Sequence, residues 1–594
     1  MPWSVRLLVA LLGVGGAGAV APGVARACGG FFCNPPAQPG DGPPIAQAAE
    51  NVLFALGRDP VTGRGLVEAH VQIVYTGAAD QFSWVVPMTS VPEIDVGSDL
   101  AFQILESRTR PSFQVQWRTE GTCKGQGGGS EFGVGCGGAV SARSASIPEG
   151  GTGGPRPPVE VVFRGNVGPY AAAVVRSDDP TALEAWLLAN AYYVSPEASQ
   201  IIRGYVDTGS VFVALRLQSG RDVSEIEPVV LRLPAEEGCV PLKLTAIAAT
   251  PNLRVNVWVL GDGRAVPINY TEVALNLARL DWFGRGSNYD TLVADAVNDA
   301  GGNAFLTEYA QPAGQQTASW FAVPDVTPRV AAARTPLELW NALQAPGLPL
   351  TGRLLGILRK HLPMPASLAT SGVTEAQFYR SFPMYAGTVS GLVVDGAAAA
   401  MEIREQVLVP MQRVSALVAG HRTLTRLATF ISPEEMTRDP LFVTNRTLPE
   451  VSNTHTALAR LQCNEDVDVC RAPVALDVEG GDTVMFRSMA LDGPCNVSQM
   501  PPYDRAQLDA MPAAHRGWRR DREGEGDMVL DNNSAIVAAL GMHNAAANPD
   551  AGGCAFVART VRRPWPALLL AGVWLVVRLR PRRRPPAPGG RAAG

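Results

Sequence analysis

The chain has 594 residues, including 61 Gly and 48 Pro, with 46% hydrophobic and 18% charged side chains and a formal net charge of -5. That length allows two to four domains of ~150 residues and a sizeable core, which excludes a mini-protein held only by disulfides. Glycine plus proline, ~18% of the chain, stays below the ~25 to 30% of wholly disordered sequences, so a globular, loop-rich body is expected. Nine arginines and no acid lie in residues 559–594 and two arginines in residues 1–27, which leaves residues 28–558 with a formal charge of -16. An acidic body excludes a basic nucleic-acid face there, because phosphate contact needs clustered Lys and Arg. Three lysines against 47 arginines point to a GC-rich bacterial genome.

Residues 1–27 read as a secretory signal peptide: Arg6 opens it, Leu7 to Val20 form its apolar core, and Ala25-Arg26-Ala27 places cleavage after Ala27. Cys28 then becomes the first mature residue. Its position also invites lipidation, although the leucine usual three residues upstream is replaced by Ala25. Residues 66–75 alternate, with Val67, Ala69, Val71, Ile73 and Tyr75 on one face and Glu68, His70 and Gln72 on the other, the pattern of a half-buried strand. Strands are predicted again over 81–87, 159–164, 211–217, 229–233 and 253–260. Asp179-Pro180 and Ser195-Pro196-Glu197 predict helix starts, since a proline at the first helical position lacks an N–H that would be unpaired anyway.

Beyond about residue 285 the pattern turns helical. Thr335 to Glu338, Thr374 to Gln377 and Ser432 to Glu435 fit the capping-box spacing. Val407, Met411, Val414 and Val418 share one helical face, with a kink expected at Pro410. Low-complexity segments at 145–158 and 544–553 mark boundaries, the second resembling a stalk. Residues 565–577 are apolar between Arg562-Arg563 and the cluster Arg578, Arg580 and Arg582 to Arg584, which predicts a short membrane span with the arginine-rich end cytoplasmic.

Nine cysteines stand at 28, 33, 123, 136, 239, 463, 470, 495 and 554, and export would oxidise most of them. With Cys554 set aside as a processing or lipidation site, the local pairs are Cys28 with Cys33, Cys123 with Cys136 and Cys463 with Cys470, leaving Cys239 for Cys495. Eight cysteines allow 105 arrangements, so the connectivity stays open. Zinc spacing is lacking, as are H-E-x-x-H, G-x-S-x-G and P-loop motifs. His70 is expected on a solvated strand face. A thiol dyad of His455 with Cys463 loses its thiolate once Cys463 is oxidised. Asp290, Asp295, Asp299 and Glu308 are candidate carboxylates for acid–base chemistry or calcium, weighed against a solvated helix face and a strand-end Glu. Glu465 to Asp468 form an acidic loop with too few ligands to hold calcium alone.

Ala27-Cys28-Gly29-Gly30-Phe31-Phe32-Cys33, the strand Ala69 to Tyr75 followed by Phe82 to Pro87, and Ala304 to Tyr309 resemble the bacterial domain of unknown function 2330. Leu424 to Leu427 with Ser432 to Met436 resembles its later part, so the likeness spans about Cys28 to Pro440. It implies an exported or envelope protein and brings no catalytic residues. Gly553-Cys554, Leu568 to Val577 and Arg578 to Arg584 resemble the myxobacterial C-terminal sorting signal, which implies processing near Cys554 and surface display.

The expected fold class is α+β, disulfide-stapled, with a β-rich region at 28–285, a helix-richer region at 286–543, a stalk at 544–563, a transmembrane segment at 564–579 and a cytoplasmic tail at 580–594. The expected function is that of an envelope protein whose ectodomain is a non-enzymatic binding or structural module, with the membrane and an envelope protein or glycan as partners. No cofactor, metal or nucleic acid is implied. The alternative is a secreted hydrolase with a site assembled from dispersed residues.

Overall fold

The structure is a computed structural model, and it describes residues 30–32, 46–76, 83–124, 159–218, 226–345, 347–350, 352–467, 472–487 and 505–547. Its largest element is a ten-stranded sheet. The order is Asp527–Asp531, Ala514–Arg519, Thr271–Leu275, Ala304–Pro312, Thr423–Ile431, Ala249–Gly261, Ala46–Arg58, Gly65–Thr76, Val229–Pro234 and Glu93–Val96. At its middle, Ala249–Gly261 runs antiparallel to Thr423–Ile431 and parallel to Ala46–Arg58. A parallel pair needs a long crossover. Here the crossover from Arg58 to Ala249 carries most of a second, five-stranded antiparallel sheet, ordered Gly30–Phe32, Ser83–Met88, Val211–Leu217, Tyr170–Arg176 and Glu160–Val167.

The two sheets face each other across one core. Val52, Phe54, Val67, Val71, Leu231 and Val257 from the large sheet meet Trp84, Val86, Tyr170, Val174, Val213 and Leu215 from the small one. Alternation sends the intervening residues of each sheet outwards. On the small sheet these are Val85, Val175, Phe212 and Ala214, and they are covered by the helices Pro180–Ala189 and Pro196–Val206. On the large sheet Leu53, Ala55, Trp258 and Leu260 are covered by Asp99–Thr109 and Val409–Gly420. The result is four layers, helix, sheet, sheet, helix, with both faces of the inner strands buried and the edge strands Glu160–Val167 and Asp527–Asp531 largely exposed.

Strands from both sides of residue 285 share the large sheet, and the helix-rich stretch is confined to residues 315–420, whose core includes Leu339, Ile357, Phe378 and Ile403. Both sheet-flanking helix starts carry the predicted caps: Asp179 accepts from Thr181 N and Ser195 from Ala198 N. Thr335 and Thr374 form full capping boxes. Ser432 also closes a box, but Pro433–Glu435 is one 3-10 turn, because the chain returns at once to the strand Leu441–Asn445. Pro410 lies within a continuous helical run, Gly396–Gly420. It sits in the first turn of Val409–Gly420, after a π-helical turn at Arg404–Leu408 that suits the donor proline lacks. The helix Asn533–Ala547 runs through the first four residues of the stalk expected at 544–553.

A four-stranded sheet, ordered Thr483–Phe486, Val474–Asp477, Thr454–Gln462 and Ser112–Glu120, packs beside the large one. Its Ser112–Glu120 and Thr454–Gln462 strands are parallel neighbours, with Glu120 opposite Gln462. That register corrects the local disulfides expected for Cys123 and Cys463: Cys123 bonds Cys463, with Cα atoms 4.6 Å apart and a sequence separation of 340. Sequence nearness favoured Cys136 and Cys470, but strand pairing brings the ends of two distant strands together. Cys239 is also disulfide-bonded. Cys28, Cys33, Cys136, Cys470, Cys495 and Cys554 lie outside the described residues, as do the signal peptide with Ala27 and the segment 564–579. No described helix is long and apolar enough to cross a membrane.

Non-reducing peptide mapping should recover a linked Cys123–Cys463 peptide, and Cys123→Ser should lower unfolding stability by about 2 to 5 kcal/mol. A Cys123–Cys136 peptide in its place would contradict the fold.

Candidate functional site

Between the two sheets lies a cavity of about 490 Å³. Protein interiors are close-packed and hold few voids larger than a water, whereas ligand sites commonly span ~300 to 1,000 Å³. The large sheet contributes Val52, Phe54, Val67, Ala69, Val71 and Leu231, and the facing strand Ser83–Met88 contributes Trp84, Val86 and Met88. Ala69 stands between Val67 and Val71 on the same face, so its small side chain leaves room that a larger residue would fill. The floor is apolar because alternation points every second residue of three adjacent strands inwards. Gly238 shapes one wall: a Cβ there would come within 2.9 Å of the Phe54 ring.

The cavity reaches the surface at the exposed residues Thr89, Pro234, Glu236 and Arg522. Glu237 pairs with Arg522 at 3.1 Å. Glu236 accepts a hydrogen bond from Gly65 N at 3.0 Å and lies 4.0 Å from Arg58. Ser90 and the disulfide-bonded Cys239 complete the polar part of the lining.

Two buried ionic clusters sit on the opposite face of the large sheet. At its centre Arg426 Nε lies 2.5 Å from Glu308 Oε2, both side chains 0% exposed, in the geometry of an ion pair rather than an aligned hydrogen bond. Arg426 also reaches Glu106 at 2.7 Å and stacks over Trp258, while Tyr289 Oη donates to Glu308 at 2.8 Å. Burial and the neighbouring Glu308 push the Tyr289 hydroxyl well above its ordinary pKa. Further along, Glu68 lies 2.9 Å from His70 and 2.5 Å from Arg232. Burial alone would raise the Glu68 pKa, but His70 and Arg232 hold it down at about 2.

This overturns the solvated reading of His70, which is 1% exposed. A Cβ at Gly97 would lie 3.3 Å from His70 Nδ1, so the turn before the helix Asp99–Thr109 roofs the strand face that alternation assigned to water. Glu308 is likewise not a solvated strand-end residue; it lies mid-strand in Ala304–Pro312. The other candidate carboxylates each have a partner. Asp290 pairs with Arg254 at 3.2 Å, Asp295 with Arg279 at 2.6 Å, and Asp299 accepts from Ala513 N and Ala514 N. Arg254 also lies 4.0 Å from Glu308 and so links Asp290 to the buried cluster, whereas Asp295 and Asp299 are held elsewhere. His455 pairs with Glu479 at 2.7 Å and stacks on Phe113, and Cys463 carries no thiol. Glu465 and Asp466 are exposed, while Asp468 lies outside the described residues. Among the described residues no three His, Cys, Asp or Glu side chains form a metal-sized group.

Residues 63–340 match the family model DUF2330, described as an uncharacterized protein conserved in bacteria. No curated protein and no solved structure matches the chain. The DUF2330 match is shorter than the likeness read from about Cys28 to Pro440, and the tail with its sorting-signal likeness lies outside both the match and the described residues. The DUF2330 segment supplies most of the cavity, including Ala69, Trp84, Ser90 and Glu237. Val52, Phe54, Leu441 and Arg522, from outside it, complete the wall. Arg426 lies outside it as well, although its partner Glu308 lies within. Sequence reasoning placed most of the lining strands correctly but did not see a cavity; the one signal was Ala69, a small residue in an otherwise β-branched row.

Glu50, on the intersheet face two residues before Val52, is buried and accepts from Gln47 and Thr245 at 3.0 and 3.1 Å. Burial pushes its carboxyl from 4.5 up to about 7, against those two bonds and with a further push from Asp439. Folded Glu50 therefore keeps a proton that the unfolded chain releases, so its stabilising contribution is full below pH 4.5 and is lost as pH rises through about 7. Denaturant midpoints from pH 4.5 to 8 should fall more steeply for wild type than for Glu50→Gln, by about 3 kcal/mol in all. Arg426→Met should cost about 3 to 5 kcal/mol by stranding Glu308, and the double change with Glu308→Leu should recover part of that loss. Equal stability of the single variant and wild type in urea would contradict the buried pair.

Proposed function

We propose that this chain is an exported bacterial envelope protein whose folded body lies outside the cytoplasm and binds an apolar small molecule between its two sheets. The cavity of about 490 Å³ carries the binding reading. Its volume and apolar lining, with a few polar groups gathered at one end, suit a ligand site better than a packing defect.

Export is supported by two observations. The Cys123–Cys463 disulfide and a second one at Cys239 suit an oxidising compartment. The signal-like residues 1–27 and the arginine-flanked apolar segment 565–577 suit an envelope address and a membrane tether. A binding role, rather than a hydrolytic one, fits carboxylates that are already held by guanidinium or backbone partners: Asp290 by Arg254, Asp295 by Arg279 and Asp299 by the Ala513 and Ala514 amides. An envelope protein or glycan partner would then read the bound state from the outer surface.

The test is the mass of the full-length chain isolated from its native envelope, recorded natively and after denaturation. Extra mass that survives only natively, and that organic extraction releases as an apolar compound, is the expected result. Ala69→Phe, which fills the cavity, should abolish that mass and leave the melting temperature unchanged or raised. A bare chain that also takes up no apolar fluorophore would overturn the reading, as would a loss of stability of about 1 to 3 kcal/mol in Ala69→Phe, the mark of a site already packed.

A further inference from the structure

The polar end of the cavity narrows the ligand class, on the premise that the cavity is a binding site. Ser90 Oγ is buried and has no hydrogen-bond partner among the described residues, and Ser90 lines the cavity. A buried hydroxyl left unpaired is costly, so such groups are retained where something meets them. A ligand carrying a hydroxyl or carbonyl at that depth would do so.

The charges around the mouth set a second limit. Glu237 faces Arg522, and Glu236 faces Arg58 and the Gly65 amide. Among the described residues the two rim carboxylates are matched by two guanidiniums, a balance that favours neither an ionised acid nor an ammonium. An ionised carboxylate drawn in beside Ser90 would lose its hydration without gaining a partner charge. An uncharged head loses far less. Val52, Phe54, Val71, Val86 and Met88 on the rest of the lining offer contacts suited to hydrocarbon. At roughly 30 Å³ per water-sized group, the volume takes on the order of sixteen non-hydrogen atoms, the size of one medium-length chain with a small head.

We propose that the cavity takes the single hydrocarbon chain of an uncharged amphiphile, with the hydroxyl or ester of its head hydrogen-bonded to Ser90 Oγ. A long-chain alcohol and a monoacylglycerol share this chemistry, whereas a fatty-acid anion of the same chain length does not.

The experiment is displacement of N-phenyl-1-naphthylamine fluorescence from the full-length chain at pH 8 by tetradecanol, monomyristoylglycerol, myristate and glycerol. The two uncharged amphiphiles should displace the fluorophore at concentrations at least tenfold below myristate, and glycerol should not displace it. Whichever uncharged compound binds more tightly names the source. Ser90→Ala, in the bend after the strand Ser83–Met88, removes only the unpaired hydroxyl and should weaken the uncharged compounds about three- to tenfold, more than it changes uptake of the fluorophore. No fluorophore uptake by wild type would defeat the cavity as a binding site, and this inference with it. Uptake that Ala69→Phe abolishes, but with myristate as good a competitor as the alcohol or with Ser90→Ala unchanged, would overturn the head-group assignment alone.

Discussion

The central constraint in this molecule is that its ten-stranded sheet is covered on both faces. A half-exposed sheet can leave the polar side chains of each strand in water, as alternation usually allows. Here helices roof one face and a second sheet roofs the other, so every charge on the inner strands must find its counterion inside the protein. Arg426 with Glu308 and Glu106, and Glu68 with His70 and Arg232, are the consequence. Such clusters add little net stability compared with apolar packing, but they penalise any register that separates the partners. A slip by one residue would turn each charge into the apolar intersheet core.

The same double covering produces the cavity. The crossover that the parallel pair of Ala46–Arg58 and Ala249–Gly261 requires folds into a five-stranded sheet and lies against the larger one. Two twisted sheets cannot stay in contact over their whole width, and where they part the side chains must bridge the gap or leave a space. Tyr170 and Phe305 bridge it elsewhere in this core. At Ala69 the row of larger side chains is interrupted by a methyl group, and a space remains. Its mouth is held by groups far apart in the chain: Glu237 beside disulfide-bonded Cys239, Ser90, and Arg522.

The DUF2330 segment cannot be understood apart from what surrounds it. Its strands occupy positions in the large sheet between strands that precede residue 63 and follow residue 340, including the central neighbours Ala46–Arg58 and Thr423–Ile431. Without Arg426, its buried Glu308 would lose the guanidinium 2.5 Å away and keep only Tyr289 and the more distant Arg254. The disulfide from Cys123 to Cys463 ties the segment to the same later region covalently. The folded unit is thus larger than the matched residues, and the cavity is a property of that whole unit.

Local patterns determined local structure. The alternation of residues 66–75, the Asp-Pro and Ser-Pro helix starts and the capping boxes at Thr335 and Thr374 all appear where short-range sterics and hydrogen bonding put them. They depend on residues within a few positions of one another, which a single sequence displays. The α+β class and the family likeness were legible for the same reason. Cysteine pairing was not, because nearness along the chain says nothing of the register between Ser112–Glu120 and Thr454–Gln462. The burial of His70 and Glu308 was not legible either: alternation separates two faces of a strand but cannot tell which of them another layer will cover. The cavity belongs to this second kind of fact. Val67, Ala69 and Val71 announce an apolar face by themselves, and only the distance at which Trp84 and Val86 come to rest decides whether that face is filled by protein or left open to a ligand.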